Sequence, residues 1–461
     1  MDTLNLATLN ISRRCTALAS ICSQETLKWY AARPWALHCD ESRYYCEPIS
    51  GGFMFIVEGC NEKAFAPLSL TADGKALSEL DSNEEWLNAA LRGDAGLPGR
   101  LKVDCRAATR IRGIKVVSSG QRSVEYEAYA NNDEKVLIKA LRRHEPDNLE
   151  HLVLNYLTEK NFRWSPQLLC SVLFDGAPYL LITKIIEGLP AATEYVSSSF
   201  VRSVENIKAL GSNIGKTLAD LHATLLGCDA AWCRPEPISE NDIRSWLKRL
   251  SWRATWLREK APHMLPSHDR TLLLEAADSL EELAGDLEPL AERLMGTLKM
   301  RIHGDLHLYQ VIKSSNDNVY FIDFGGEPYK MPASRFEKEP AVRDLAALAR
   351  SLDYAGMMGE QLRTGESLLR VTSWPPRDLL AWESETFKVI LDSYISEAKS
   401  RGLSNLYDGI GALFFWLVER ASYEAVYEIV ARTGYHYVPL NALLRYRDSN
   451  DHLASFIRGL A

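Results

Sequence analysis

Two aspartates and an amide within twenty residues carry the clearest chemistry in this chain. The segment Arg301-Ile302-His303-Gly304-Asp305-Leu306-His307-Leu308-Tyr309-Gln310 is followed, after a short gap, by Phe321-Ile322-Asp323-Phe324-Gly325. Phosphoryl transfer to a hydroxyl needs a carboxylate that orients the hydroxyl and accepts its proton. It also needs oxygen ligands that hold magnesium against the β- and γ-phosphates. An aspartate followed five positions later by an amide, then by a strand and a second aspartate, supplies these parts. Asp305 is therefore the expected catalytic base, and Gln310 and Asp323 are the expected magnesium ligands. His303 is expected to brace the loop by hydrogen bonds.

The partner half of such a site is expected upstream, on strands. Lys139 sits in the apolar run Val136-Leu137-Ile138-Lys139-Ala140. A lysine on such a strand can reach the α- and β-phosphates of ATP. Glu150, at the start of the following helix, is the expected partner of Lys139. It also suits a helix N-terminus, which favours acids in any case. Ile182 to Gly188 reads as the connection between lobes, with the backbone around Ile182, Thr183 and Ile185 receiving adenine. No GxGxxG is present. The turn at Ser118 to Arg122 is the best candidate for a loop over the phosphates.

The elements that must position these residues follow from local patterns. Phe53 to Val57 reads as a strand, Glu84 to Leu91 as a helix and Gly93 to Arg100 as a linker. From Leu101 to Leu141 strands alternate with turns. Asp147 is the expected cap of a helix starting at Leu149. Two more strands follow near Leu168 to Phe174 and Tyr179 to Ile186. After Ser197 the periodicity is helical, near Val204 to Leu225, Asp242 to Lys260 and His268 to Leu298. One β island interrupts it between Met300 and Glu327. The expectation is an α+β chain with a β-rich module preceding an α-rich one.

Bulk properties narrow the function classes. The 461 residues carry a formal net charge of −8, with 46% hydrophobic and 25% charged residues. That balance argues against broad nucleic-acid binding, which needs basic surface. The N-terminus shows no basic start before an apolar run, and no stretch is apolar enough to span a membrane. A cytoplasmic protein is expected. It would be a monomer, with a dimer as the alternative, and its partner would be a small molecule. The nine cysteines form no CxxC pair. In a reducing cytosol they read as buried free thiols, and in a hyperthermophile disulfides would be plausible.

The motifs resemble the aminoglycoside phosphotransferase-like kinase superfamily, whose catalytic loop is of the His-Gly-Asp-Leu-His type. Leu210-Gly211 and Leu218-Ala219-Asp220-Leu221-His222 are similar to its first C-lobe helix. Within it the likeness is to the maltokinases and the related glucosamine kinases. Trp29-Tyr30-Ala31-Ala32-Arg33-Pro34-Trp35, the 303–310 loop, Asp323 to Pro328 with Arg343-Asp344-Leu345-Ala346 and Arg350 to Tyr354, and Glu419 to Glu428 carry it. The resemblance implies a bilobal protein-kinase-like fold: a cap subdomain (1–100), a nucleotide-binding subdomain with hinge (101–188) and a helical C-lobe (189–461). It implies ATP- and Mg2+-dependent phosphorylation of a sugar, with maltose to maltose 1-phosphate leading and glucosamine or another sugar as alternatives. It departs from maltokinase at Tyr309, Gly325 and Arg420, where those enzymes carry glycine, an acid and lysine.

Arg420 lies in the segment that the resemblance points at the sugar. Tyr423 and Tyr427 share a helix face and suit either sugar stacking or an aromatic core. Trp416 and Glu419 read more readily as core than as an extension of that surface. Arg343 and Asp344 are expected to prop the catalytic loop, and Glu327 either props it or meets substrate. The rival reading from another class is a nucleotide-binding pseudokinase, against which Lys139, Asp305, Gln310 and Asp323 all stand.

Overall fold

The computed structural model describes the chain except residues 1–23, 38, 40–41, 71–76, 132, 329, 331, 367–374, 432 and 449. The chain divides into two compact units. One comprises residues 1–158 and 166–185, the other 159–165 and 186–461.

The first unit begins with α1 (Gln24–Ala31), β1 (Arg43–Ile49), β2 (Gly52–Gly59), β3 (Glu62–Leu70), β4 (Leu77–Glu79) and α2 (Glu84–Leu91). It continues with β5 (Leu101–Cys105), β6 (Ile111–Ser119), β7 (Ser123–Ala130), β8 (Glu134–Leu141), α3 (Leu149–Glu159), β9 (Leu168–Phe174) and β10 (Ala177–Lys184). β1 to β4 form an antiparallel sheet in chain order, and the remaining strands form a six-stranded sheet ordered β5-β9-β10-β8-β7-β6. β7 alternates half-buried and buried residues, the pattern of a strand with one face on a core. The sequence expectation separates the two sheets at a linker near residue 100. The structure joins them by backbone bonds, since Phe65 N–H donates to the Arg142 carbonyl at 3.1 Å and His144 N–H to the Lys63 carbonyl at 2.8 Å.

Side chains reinforce that joint. Asp81 is wholly buried and accepts from Arg142, Tyr179 and, at 3.3 Å, Tyr126. Arg142 also donates to Glu79 at 2.5 Å. The aromatic residues Phe65, Phe174, Trp86 and Tyr179 meet edge-on or tilted at 5.1–6.3 Å.

The second unit holds β11 (Leu189–Pro190), α4 (Ala191–Val201), α5 (Lys208–Leu226), β12 (Glu236–Pro237), α6 (Glu240–Glu259), α7 (Arg270–Glu292) and β13 (Leu298–Lys299). Then come β14 (Val311–Lys313), β15 (Val319–Phe321), α8 (Val342–Thr364), α9 (Arg377–Ser400), α10 (Leu413–Ala431), α11 (Tyr437–Arg445) and α12 (His452–Arg458). β11, β14 and β15 make the expected β island. Ser239 and Asp242 close a capping box at the start of α6. Helices α5 and α9 pack so closely at Gly215 that a Cβ there would sit 2.3 Å from the Ile390 carbonyl oxygen. Among the described residues no helix is long and apolar enough to cross a membrane.

Two expectations change. The helix at Leu149 is capped by Asn148, whose Oδ1 accepts from His151 N–H at 3.0 Å, and not by Asp147. Asn148 is the residue next to the helix, where the capping geometry falls. The cysteines are not all free thiols either. Disulfides join Cys39 to Cys60, Cys105 to Cys170 and Cys228 to Cys233. Cys105 and Cys170 face each other across β5 and β9, and the Cys228–Cys233 pair spans five residues. Cys15 and Cys22 lie outside the described residues.

Candidate active site

The loop between β13 and β14 carries Asp305, and its shape is held from several sides. The Nε2–H of His303 donates to the Ile322 carbonyl at 2.9 Å, which leaves its Nδ1 to accept from Asp305 N–H at 3.4 Å. His303 thus ties the loop to the segment before Asp323. Gly304 has φ +85°, a backbone conformation that suits glycine. The two oxygens of Asp344, in the first turn of α8, accept the N–H groups of His303 at 2.8 Å and Gly304 at 2.9 Å. His222 Nε2 on α5 lies 3.0 Å from the same carboxylate. Burial raises the Asp344 carboxyl, but His222, His303 and the Gly304 N–H outweigh it and hold the carboxyl below its usual range.

Arg343, one residue earlier, is buried. It donates to the Gly304 carbonyl at 3.1 Å and to Glu327 Oε1 at 2.6 Å. Glu327 is 1% exposed and also pairs with Lys330 at 3.1 Å and Arg420 at 2.5 Å. Burial alone would raise the Glu327 carboxyl. Arg343, Lys330 and Arg420 together hold it well below the usual carboxylate range. Of the two roles open to Glu327, its contacts are those of a prop.

Gln310 and Asp323 stand side by side, with Gln310 Nε2 donating to Asp323 Oδ2 at 3.1 Å. Asp323 has φ +61°, an uncommon region for a non-glycine residue and one often found at functional positions. The Gln310 carbonyl and the Asp323 carboxylate are hard oxygen donors. Among the described residues no group of three or more histidine, cysteine or acidic ligands gathers elsewhere. A pair of protein oxygens fits magnesium, which takes one or two protein ligands and completes its shell with phosphate and water.

A cavity of about 190 Å3 opens beside Asp305. Its wall includes His307, Tyr309, Ser351, Tyr354, Arg420, Tyr423, Glu424, Tyr427 and Glu428. Tyr423 and Tyr427 lie nearly parallel with ring centroids 6.2 Å apart, and both line the cavity, although Tyr423 is also buried. Trp416 and Glu419 are fully buried, and Trp416 packs on Trp246 at 4.8 Å, which makes them core. Glu424 is held by two guanidinium groups, Arg350 at 2.8 Å and Arg420 at 3.1 Å. Glu428 accepts from the Tyr354 hydroxyl at 2.9 Å and from Thr433. Among the described residues no cation pairs with Glu428, and burial pushes its carboxyl up. Burial lowers the pKa of His307, which favours the neutral imidazole.

Sequence reasoning missed Ser351, Tyr354, Glu424, Glu428 and His307 as cavity residues. The alternation of Tyr423, Glu424, Tyr427 and Glu428 was the available signal, because it sets tyrosines and acids on adjoining lines of one helix.

In the first unit Lys139 Nζ lies 3.0 Å and 2.7 Å from the two oxygens of Glu150, with both side chains largely buried. Ile182 and Thr183 lie in β10, between β8 and β9. The Ile185 N–H donates to the Lys135 carbonyl at 3.2 Å, so that donor is already engaged. The turn after β6 is closed by Gly120 N–H on the Ser123 carbonyl at 2.9 Å.

No protein-family model matches the chain. Among curated proteins, a glucosamine kinase from Streptacidiphilus jiangxiensis is 23% identical over 250 residues, 51% of each protein. One from Mycolicibacterium smegmatis is 26% identical over 195 residues, 42% of this chain and 43% of that protein. The chain thus spans about half the length of the curated relatives it matches. Solved structures extend the likeness. A glucosamine kinase in complex with glucosamine, ADP and inorganic phosphate superposes with a TM-score of 0.63 at 16% identity, over 90% of this chain and 97% of that one. The chain shares the fold of these glucosamine kinases. A second glucosamine kinase crystal form gives a TM-score of 0.63 at 18% identity, over 89% and 95% of the two chains.

Proposed function

We propose that the protein is an ATP- and Mg2+-dependent sugar kinase whose acceptor is an amino sugar, glucosamine first. The observation that carries this reading is the cavity beside Asp305, with Glu424 and Glu428 in its wall. A carboxylate on a braced loop suits proton abstraction from a hydroxyl. The hydroxyl proton passes to Asp305 as the oxygen bonds to the γ-phosphorus. The bond from that phosphorus to the bridging oxygen breaks, and its electron pair leaves on ADP. Magnesium held by Gln310 and Asp323 would neutralise phosphate charge. Lys139, oriented by Glu150, would meet the α- and β-phosphates, and the backbone at Ile182, Thr183 and Ile185 would border the adenine.

Charge favours an amino sugar over maltose. The cavity of about 190 Å3 beside Asp305 has room for one sugar ring. Tyr309, 53% exposed, stands in its wall where a smaller residue would leave more room. Glu428 offers a carboxylate to a ligand ammonium. The relatives are glucosamine kinases, which supports the same acceptor.

The test is coupled ADP release with magnesium-ATP against glucosamine, glucose, maltose and an aminoglycoside. Turnover is expected on glucosamine ahead of glucose and maltose. Preference for maltose would replace the acceptor and keep the kinase. Silence on every sugar, with no ATP hydrolysis, would favour a nucleotide-binding protein without transfer.

A further inference from the structure

We infer that Arg420 is a positioning residue for the catalytic base and not a contact to the sugar. The inference rests on the kinase reading of Asp305. Arg420 lies in the cavity wall but is 5% exposed, and each of its three nitrogens is already engaged. Its NH2 donates to Asp305 Oδ1 at 2.7 Å, its NH1 to Glu327 Oε1 at 2.5 Å and its Nε to Glu424 Oε1 at 3.1 Å. The Tyr423 ring lies beneath it, 5.0 Å from the guanidinium carbon. A planar group tied at three corners and stacked on a ring has no free rotation left.

The consequence falls on Asp305. With Oδ1 bound, the carboxylate plane is set and Oδ2 is the oxygen left for the acceptor hydroxyl. Glu327 makes this setting coherent with the rest of the loop. Its Oε1 receives both Arg420, which holds the Asp305 side chain, and Arg343, which holds the Gly304 carbonyl. The loop backbone and the catalytic side chain are therefore referenced to one buried oxygen atom. Glu424 completes the frame from the cavity side, and Arg350 fixes Glu424 in turn at 2.8 Å. The bonds of Arg420 take three of its five guanidinium N–H groups, so its role rests on the hold that it has on Asp305.

A lysine at this position keeps the charge, but its ammonium is a compact point donor and does not reproduce the spread planar fork that reaches Asp305, Glu327 and Glu424 from three separate nitrogens. Arg420→Lys is expected to lower kcat about a hundredfold, the scale of a roughly 1 Å misplacement of a reacting group. KM for the sugar should change little. In Arg420→Ala, added guanidine should restore part of the lost kcat, because the vacated space adjoins the cavity. Thermal melts of both variants separate this from loss of folding, and Arg420→Lys carries the test if the alanine variant does not fold. A raised sugar KM with kcat retained in Arg420→Lys would return Arg420 to the sugar, and wild-type kinetics would remove it from the site. Wild-type protein silent on all sugars would sink the kinase reading instead. Crystal structures of the wild type and Arg420→Lys, which need no substrate, would then read the carboxylate directly. A shifted Asp305 in the variant sustains the positioning role, and an unmoved one overturns it.

Discussion

Asp81 in the first unit and Glu327 in the second are both carboxylates sealed from solvent, and both are gripped by arginine. They differ in how their charge is balanced. Asp81 shares the single guanidinium of Arg142 with Glu79 and otherwise accepts from two tyrosines. Burial therefore wins, and the Asp81 carboxyl is pushed up. Glu327 is ringed by Arg343, Lys330 and Arg420, and its carboxyl is pulled down. The first cluster ties two sheets together, and none of its side-chain bonds ends on a residue lining the cavity. The second sets three cations around one carboxylate, shares two of them with Glu339, and reaches Asp305 beside the cavity through Arg420. Buried charge alone does not mark a site. Buried charge that ends on a residue facing a cavity does.

The comparison breaks most sharply at Asp305. Asp305→Asn should reduce kcat about a thousandfold through loss of general-base catalysis, with nucleotide binding kept when titrated by fluorescence. Turnover near the wild-type level would detach the charged bracket from chemistry. Glu327→Gln comes next. It removes the anion from among three cations, and loss of one partner of a buried ion pair costs about 3–5 kcal/mol. Denaturant unfolding should show that loss at pH 7. The sign with pH is fixed, because a carboxyl lowered in the fold stabilises above its unfolded pKa of about 4.3 and loses that contribution as pH falls through its folded value. The gap between wild type and Glu327→Gln should accordingly close in acid, and a gap that widened there would contradict the charge assignment.

Asp81→Asn should cost less, about 1–3 kcal/mol from one impaired buried hydrogen-bonding group, and should leave sugar kinetics unchanged. If it costs more than Glu327→Gln, the contrast between the two clusters is reversed. The smallest effect is specific to substrate. Glu428→Gln should raise KM for glucosamine about tenfold, the worth of one charge-assisted hydrogen bond, and spare glucose. Equal effects on both sugars would assign Glu428 to the fold.

Much of this was legible because it is local. The helix read at Glu84 to Leu91 has those bounds in the structure. The Lys139 strand and Glu150 helix start were readable from an apolar run and a helix N-terminus, and the two side chains meet. Asp305, Gln310 and Asp323 were singled out by spacing, and the structure sets Gln310 beside Asp323. What failed to show is what depends on distant partners. Residues Leu413 to Ala425 are buried all round α10, so no polar stripe marks the face that meets the cavity. Arg420 was pointed at the sugar by resemblance, and its bonds to Asp305 and Glu327 join residues more than ninety positions apart, which no local pattern shows. Cys105 and Cys170 are 65 residues apart and become neighbours only once β5 and β9 pair.

The backbone bonds between β3 and the end of β8 bear on how this chain can be shortened. The glycine- and proline-bearing stretch near residue 100 invites removal of everything before it. A protein beginning at Leu101 would lose Phe65 and Trp86 from against Phe174 and Tyr179, and would leave Arg142 without Asp81 and Glu79. A bare aromatic face beside an unmatched buried cation is a recipe for insolubility on expression. The N-terminal hundred residues are accordingly half of a core, and the shorter chain would precipitate rather than bind nucleotide weakly.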